Sequence, residues 1–374
     1  MSFIANPQPL GSYVPNDVIF LLKDIGDFVA EEGNEEREKQ IQQGRHYSEM
    51  LPREYSPSKE YVDLFFESLN ENSHRIALAT GIVAHNILQE TGKKNLVLVS
   101  LARAGTPVGV LIKRYIQQVY DLNLPHYSIS IIRDKGIDEN AVKYIMQQHP
   151  GCELQFIDGW TGKGIIAREL TQSIDEFNSK YGTQINHKLA VLADPGYCAN
   201  IFGTREDFLI PSACLNSTVS GLVSRTFFRE DIIGKLDFHG AKYYKNLAAE
   251  DLSNVFIDAI TKGFTEAKFE VEKAFKIDPF YGVDNAPNWT GMQEVEQIKQ
   301  DFDIDNYNYI KPGVGETTRV LLRRIPWQIL LKDMANPDLK HVLLLARERG
   351  VTLKEYPNMT YSCCGLIKRM DGSE

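Results

Sequence analysis

The residues best placed by type and spacing to do chemistry are Asp158-Gly159-Trp160-Thr161-Gly162-Lys163-Gly164. They follow an apolar run, Glu153 to Ile157, that reads as a buried strand. They precede Gly164 to Tyr181, which reads as a long helix. The first amides of a helix have no internal partners and carry the positive end of its dipole, so an oxyanion sits there naturally. Gly159, Gly162 and Gly164 let the backbone turn tightly. The Thr161 hydroxyl and Lys163 ammonium add contacts, and Asp158 can hold a sugar hydroxyl or orient a metal-bound water. The plain alternative is an ordinary glycine-rich connection. Spacing excludes a nucleotide P-loop, because Lys163 is followed by Gly164 and no glycine stands five positions before Gly162.

A second such turn follows the run Asn95 to Ser100: Ala102, Arg103, Ala104 and Gly105, with Pro107 at the start of a helix. Gly105 tolerates an unusual backbone angle, and Arg103 can grip a phosphate in bidentate fashion. A third cluster, Arg133-Asp134-Lys135-Gly136, ends the run Tyr127 to Ile132. Two hydroxyl-rich stretches, Ala193 to Tyr197 and Asn216 to Thr226, also follow predicted strands, and Arg225 in the second is a further anion contact. The plain readings are a salt-bridged surface arginine, a solvated charged turn and helix caps.

Thiol chemistry is the competing reading. The five cysteines show no CxxC spacing and no histidine-rich partner, which argues against structural zinc. Cys198, after Asp194-Pro195-Gly196, is the best-placed thiol, with His187 and His239 as candidate bases. A cysteine nucleophile needs a nearby histidine. The flanking residues match no protease signature, and a single cysteine also suits a core as a small hydrophobe.

To bring these turns together the chain must alternate strands and helices. Strands are expected at 95–100, 127–132, 153–157, 188–193 and 208–214, and helices at 108–120, 139–149 and 164–181. Such alternation predicts an α/β fold with a parallel sheet, whose ligands lie beyond the carboxyl ends of the strands. Residues 1–94 read as a helical N-terminal segment: Val18, Leu21, Leu22 and Ile25 have helical spacing, and further helices are expected at 59–69 and 75–90. Residues 95–300 form the main domain, with late helices at 249–263 and 265–275. Residues 301–374 form a small α/β domain, with helices at 316–324 and 337–349 and strands at 327–331 and 352–356.

The turns at 100–107 and 156–164 resemble the pyrophosphate and 5'-phosphate loops of type I phosphoribosyltransferases, except that Gly159 stands where that family has a second acid. With Gly11-Ser12-Tyr13 and His46 to Met50, the chain resembles the StiP family, which is associated with tellurium-resistance and stress gene clusters and whose members often carry a cysteine-protease label. The resemblance implies a phosphoribosyltransferase-like core. It implies transfer of ribose 5-phosphate from phosphoribosyl pyrophosphate, with Mg2+ on the leaving group. Asp158 and Arg103 would be catalytic, with Asp158 also serving the metal. Ala102, Ala104, Gly105, Gly159, Thr161, Gly162, Lys163, Gly164, Arg133, Lys135 and Arg225 would hold substrate. No motif encodes the acceptor or the oligomeric state. A cysteine protease using Cys198 and a non-catalytic sugar-phosphate and RNA binder are the alternatives.

Gly313 to Arg319 and the helix it opens resemble the RNA-contacting helix start of Pelota-type domains. The resemblance implies RNA contacts from Gly315, Glu316, Arg319 and Arg323. The plain reading is a capped helix docked on the main domain.

The net charge of -9 argues against general coating of nucleic acid. No run approaches the ~18 apolar residues of a membrane span, and Met1 to Leu10 lacks the basic start and apolar run of a secretion signal. A cytoplasmic protein with reduced thiols is expected.

Overall fold

The structure is a computed structural model that describes residues 4, 6–92 and 95–367. The first ten residues, read above as lacking a secretion signal, lie partly outside the described residues, as does the end of the C-terminal region.

The fold is mixed α/β with a mainly parallel central sheet. Its six main strands are β1 (Ile19–Leu21), β2 (Leu96–Ala102), β3 (His126–Ile132), β4 (Glu153–Trp160), β5 (Leu189–Ala193) and β6 (Ile201–Thr204), in the order β1-β3-β2-β4-β5-β6 with every pair parallel. A two-residue strand, Gly136–Ile137, adds antiparallel to β3. β2 and β3 are buried almost throughout because both faces of the sheet are covered, and the polar His126, Ser128 and Ser130 of β3 are buried with the rest. Alternate side chains point to opposite faces. Leu96 and Leu98 therefore join one core with α1 (Lys59–Thr91) and α2 (Gly105–Tyr120). Val97, Val99 and Leu101 join another with α3 (Glu139–Gln148) and α4 (Ile165–Tyr181). Two further helices, α5 (Ser253–Thr261) and α6 (Phe264–Ile277), pack beside α1.

Three expectations fail for identifiable reasons. Residues 17–30 hold no helix. Ile19–Leu21 is an edge strand, with Phe20 and Leu22 in one core and Leu21 in the other. A short, uniformly apolar run satisfies helical and strand spacing alike. Residues 59–90 are one helix rather than two. The polar stretch that suggested a break, 70–74, is mostly solvent-facing but continues the helix, and on its inner side Ser68 and Asn72 both donate to the Leu209 carbonyl, at 2.9 and 3.3 Å. Residues 208–214 hold no strand. Pro211 opens a short 3-10 turn, and the apolar side chains there are buried as packing surface.

The small C-terminal unit is also α/β. Strands β7 (Ile310–Pro312), β8 (Pro326–Leu331), β9 (Thr352–Glu355) and β10 (Cys363–Ile367) form a mixed sheet in the order β7-β10-β8-β9. Helix α7 (Thr290–Asp301) buries Val295 and Ile298 against Ile310, Leu330 and Leu366 of that sheet. Helices α8 (Val314–Arg323) and α9 (Lys340–Glu348) complete it.

Candidate functional site

Strand order reverses at β2: the chain leaves β2 for β3 on one side and returns to β4 on the other. The crevice beyond the carboxyl ends of β2 and β4 is where a sheet of this kind opens for a ligand. The turns at 102–105 and 158–164 meet there. A Cβ on Gly105 would stand 2.5 Å from the Ile157 carbonyl oxygen, and one on Gly159 would stand 3.3 Å from that of Ala104. The approach requires glycine at 105, whereas a side chain at 159 would need the Ala104 carbonyl to give by a few tenths of an ångström.

Asp158 is half-buried at the crevice. Its Oδ1 accepts from the Gly159 amide at 2.8 Å, and burial pushes the carboxyl up to about 7. Arg103 donates to Asn216 Oδ1 at 3.1 Å and lies 3.8 Å from Glu54, and burial lowers its guanidinium. Ala102 and Ala104 present backbone at the same edge. Gly162 and Gly164 also reach it, but the C-terminal unit covers them. The Tyr361 hydroxyl donates to the Gly162 carbonyl at 2.9 Å, and the Trp289 ring lies against Gly164. Thr161 is turned inward, donating to Asp194 Oδ1. Lys163 donates to the Tyr307 carbonyl at 2.6 Å.

Arg133 and Arg225 lie 5.3 and 5.5 Å from the same ring, that of Tyr47. Lys135 lies 3.7 Å from Glu49 at the rim. The residues of the RNA-type motif face the core. Gly315 abuts Ala213 and Trp160. Glu316 pairs with Arg319 at 3.0 Å, and Arg319 Nε donates to the Ala213 carbonyl at 3.0 Å. Arg323 donates to the Cys214 carbonyl at 2.7 Å and to Asn216 Oδ1. The two sets of residues expected to serve separate ligands therefore line one inter-unit cleft.

Cys198 sits at the same sheet edge, beside the start of α4. It is 3% exposed, and its Sγ lies 3.7 Å from Asp194 Oδ1. Burial, then Asp194, pushes the thiol up. Asp194 is itself held by Thr161, by the amides of Cys198 and Ala199, and by Arg205. Neither expected base reaches Cys198. His187 pairs with Asp175 at 3.2 Å, and His239 with Ser130 Oγ at 2.9 Å. The other six histidines also have partners other than cysteine.

The sequence reading missed Asn216, Tyr47, Asp207, Trp289 and Tyr361. Asn216 and Tyr47 carried a signal, the first at the head of the hydroxyl-rich stretch 216–226 and the second within the motif His46 to Met50, though neither was given a role. The others act through contacts between distant segments that leave no local pattern. Magnesium does not fit the crevice residues alone. Asp158 is a single, partly neutral carboxyl, and the one group of three ligand-type side chains within reach of each other among the described residues is His74, Glu266 and Glu270, exposed on α1 and α6. Among the described residues, no helix is long and apolar enough to cross a membrane.

Residues 11–261 match the family model "Tellurite-like stress resistance cysteine protease StiP", and residues 289–369 match "PELOTA RNA binding domain". A protein of Acinetobacter baylyi named "Cysteine protease StiP" is 34% identical over 355 residues, covering 90% of this chain and 88% of that one. Among solved structures, a NifS-like protein from Rickettsia africae covers 95% of this chain and 94% of that one at 10% identity, with a TM-score of 0.21, and carries no argument. The matching family and the relative bear the name cysteine protease, which overturns the expected transferase activity. Phosphoribosyl pyrophosphate as substrate is withdrawn with it. The geometry agrees: the second acid is absent, Thr161 is spent on Asp194, and the amides starting α4 lie under Trp289 and Tyr361.

Proposed function

The chain belongs to the StiP family, and from that premise we propose that it is a thiol-dependent peptide hydrolase with Cys198 as its nucleophile. The observation that carries this is the position of Cys198. It is the one cysteine that touches a carboxylate at the carboxyl edge of the sheet, and it lies beside the N-terminus of a 17-residue helix. A helix N-terminus favours a thiolate, and its free amides suit a developing oxyanion. Cys152 lies at the opposite end of the sheet, before β4. Cys214 and Cys363 are buried in the apolar cluster that the two units share, and Cys364 in the core of the C-terminal unit.

In the conformation described, the thiol is at rest. Burial keeps it protonated, and its nearest acceptor, Asp194, is already engaged by Arg205. Activity therefore requires the cover over Gly162 and Gly164 to lift, exposing Sγ and the α4 amides together. Cys198→Ala is expected to abolish hydrolysis of a quenched-fluorescence peptide library while leaving the melting temperature within a few degrees of wild type. Retained hydrolysis in that variant would remove the assignment.

The match over 289–369 favours RNA contact by the C-terminal unit as a second reading. Arg319 and Arg323 are engaged by the core, so RNA would have to enter by the inter-unit cleft or use other residues.

A further inference from the structure

A cleft of about 570 Å³ lies where the last strand of the central sheet, β6, meets α1 and the turn from Asp278 to Val283. Leu78, Ala79 and Ile82 of α1 and Phe202 of β6 form its apolar wall. The backbone of the turn is fixed on both sides. Phe202 donates its amide to the Gly282 carbonyl at 2.8 Å, and Asn86 Nδ2 donates to the Tyr281 carbonyl at 2.9 Å. A Cβ on Gly282, whose φ is +82°, would stand 2.5 Å from the Phe202 carbonyl oxygen, so glycine lets the turn seat here. On this fixed turn the chain displays two rings at the mouth of the cleft. Phe280 is 79% exposed and Tyr281 39%, just after Ile277 at 77%. Large apolar side chains held in water by a fixed backbone point to a surface that meets something else.

Arg75, Arg205, Glu206 and Asp278 also line the cleft, and their partners decide its charge. Arg75 is held by Glu206 at 2.7 Å and by both oxygens of Asp338, at 3.0 and 3.1 Å. Arg205 is held by Asp284 at 2.9 Å and by Asp194, and lies 3.8 Å from the centroid of the Phe202 ring. Asp278 makes no ion pair among the described residues, and its Oδ1 accepts from the Phe280 amide at 3.0 Å. Both guanidinium groups are thus already met by carboxylates, and Asp278 is left over, so the excess charge at the cleft is negative. Such a rim repels a nucleic-acid backbone. It favours a cation, which an aromatic face also attracts. A side chain that joins an apolar stem to a charged head suits wall and rim together.

We propose that this cleft binds an arginine side chain of a basic peptide segment. The stem lies along Leu78, Ile82 and Phe202, and the head meets the Phe280 and Tyr281 rings and the Asp278 and Glu206 carboxylates. Arginine suits the site better than lysine, because a planar guanidinium both stacks on a ring and forks onto a carboxylate. The net charge of -9 draws a basic segment toward the chain. Arg205, in the wall, also holds the Asp194 whose Oδ1 lies 3.7 Å from Cys198 Sγ, so the cleft adjoins the network around the thiol. The proposal does not rest on hydrolysis at Cys198, since binding is read without turnover.

A fluorescein-labelled Gly-Ala-Arg-Ala-Gly peptide titrated with the full chain, followed by anisotropy, tests this. One twin carries citrulline in place of arginine, which keeps the shape and loses the charge. A second carries norleucine, which keeps only an apolar stem. Wild type is expected to bind the arginine peptide about tenfold or more tighter than either twin. Asp278→Asn removes the charge and keeps an acceptor for the Phe280 amide. Phe280→Ala removes an exposed ring and changes no charge, so its effect locates the binding. Each is expected to weaken binding about fivefold while melting within a few degrees of wild type. No measurable binding by wild type, equal binding of the arginine and citrulline peptides, or unchanged binding in either variant overturns the proposal. Tighter binding of the norleucine peptide would make the occupant an apolar segment. Dimerisation in sedimentation that Phe280→Ala abolishes would make it a second copy of this chain. Either result also overturns the proposal.

Discussion

Asp158 shows what one side chain can and cannot reveal from sequence. Its place at the end of β4, opposite Arg103 and Gly105, follows from the strand–turn–helix pattern, and the two turns do meet. Its protonation depends on burial, which no local pattern encodes. Because its folded value, about 7, lies above the ordinary 3.8, the fold favours the protonated acid. The sign follows from linkage. That contribution to stability is complete below about 4 and is lost as pH rises through about 7. Asp158→Asn cannot ionise. Its melting temperature should fall less than that of wild type between pH about 4 and 7, and should exceed wild type at pH 8. Parallel melting curves across that range would show that the carboxyl is not buried as described. Thr161 teaches the complementary lesson: a hydroxyl in a ligand-type turn is spent on Asp194 from a distant strand end.

Elements were legible where their periodicity was long and unshared. Helices α2, α3 and α4 and strands β2 to β5 fall close to where the sequence places them, since each helix has ten or more periodic residues and each strand an apolar or alternating run bounded by turn residues. The N-terminal strand and the undivided α1 were not, because tertiary partners decide both. The start of α8 is another such case. Asp207 stands just before the run 208–214 that was expected to be a strand, and nothing in the sequence singled it out. Its Oδ1 instead accepts from the Val314 amide at 2.9 Å and its Oδ2 from Ser362 at 2.8 Å, so a core carboxylate caps a helix of the other unit. Asp207→Ala removes a cap and leaves two buried amides unpaired, a loss of about 2 kcal/mol or more. The variant should show a lowered melting temperature and early proteolytic release of a fragment beginning near 280–290. Cleavage no faster than wild type would show that the cap does not hold the units together.

At the scale of the whole molecule, the two units form a single closed arrangement in which the second lies over the chemistry of the first. Trp289 and Gly291, at the start of α7, donate their amides to the Tyr197 and Gly196 carbonyls, each at 3.0 Å, and Tyr361 donates to Gly162. A Cβ on Gly164 would meet both the Trp289 ring and Cys198 Sγ at 2.9 Å or less. The ring that shields the start of α4 therefore also shields the thiol. Trp289→Ala removes that ring and its stacking with Arg168, 5.6 Å away, while the backbone bond to Tyr197 can persist. Alkylation of a buried thiol proceeds through openings that expose it, so its rate reports their population. Iodoacetamide should modify Cys198 about tenfold faster in Trp289→Ala than in wild type, read by intact mass and peptide mapping, with Cys363 and Cys364 still protected. If all the buried cysteines accelerate together, the substitution has loosened the whole interface, and Trp289 is not a local cover. If Cys198 alone accelerates, the C-terminal unit controls access to the thiol, and the start of α4 becomes available to substrate in the same motion.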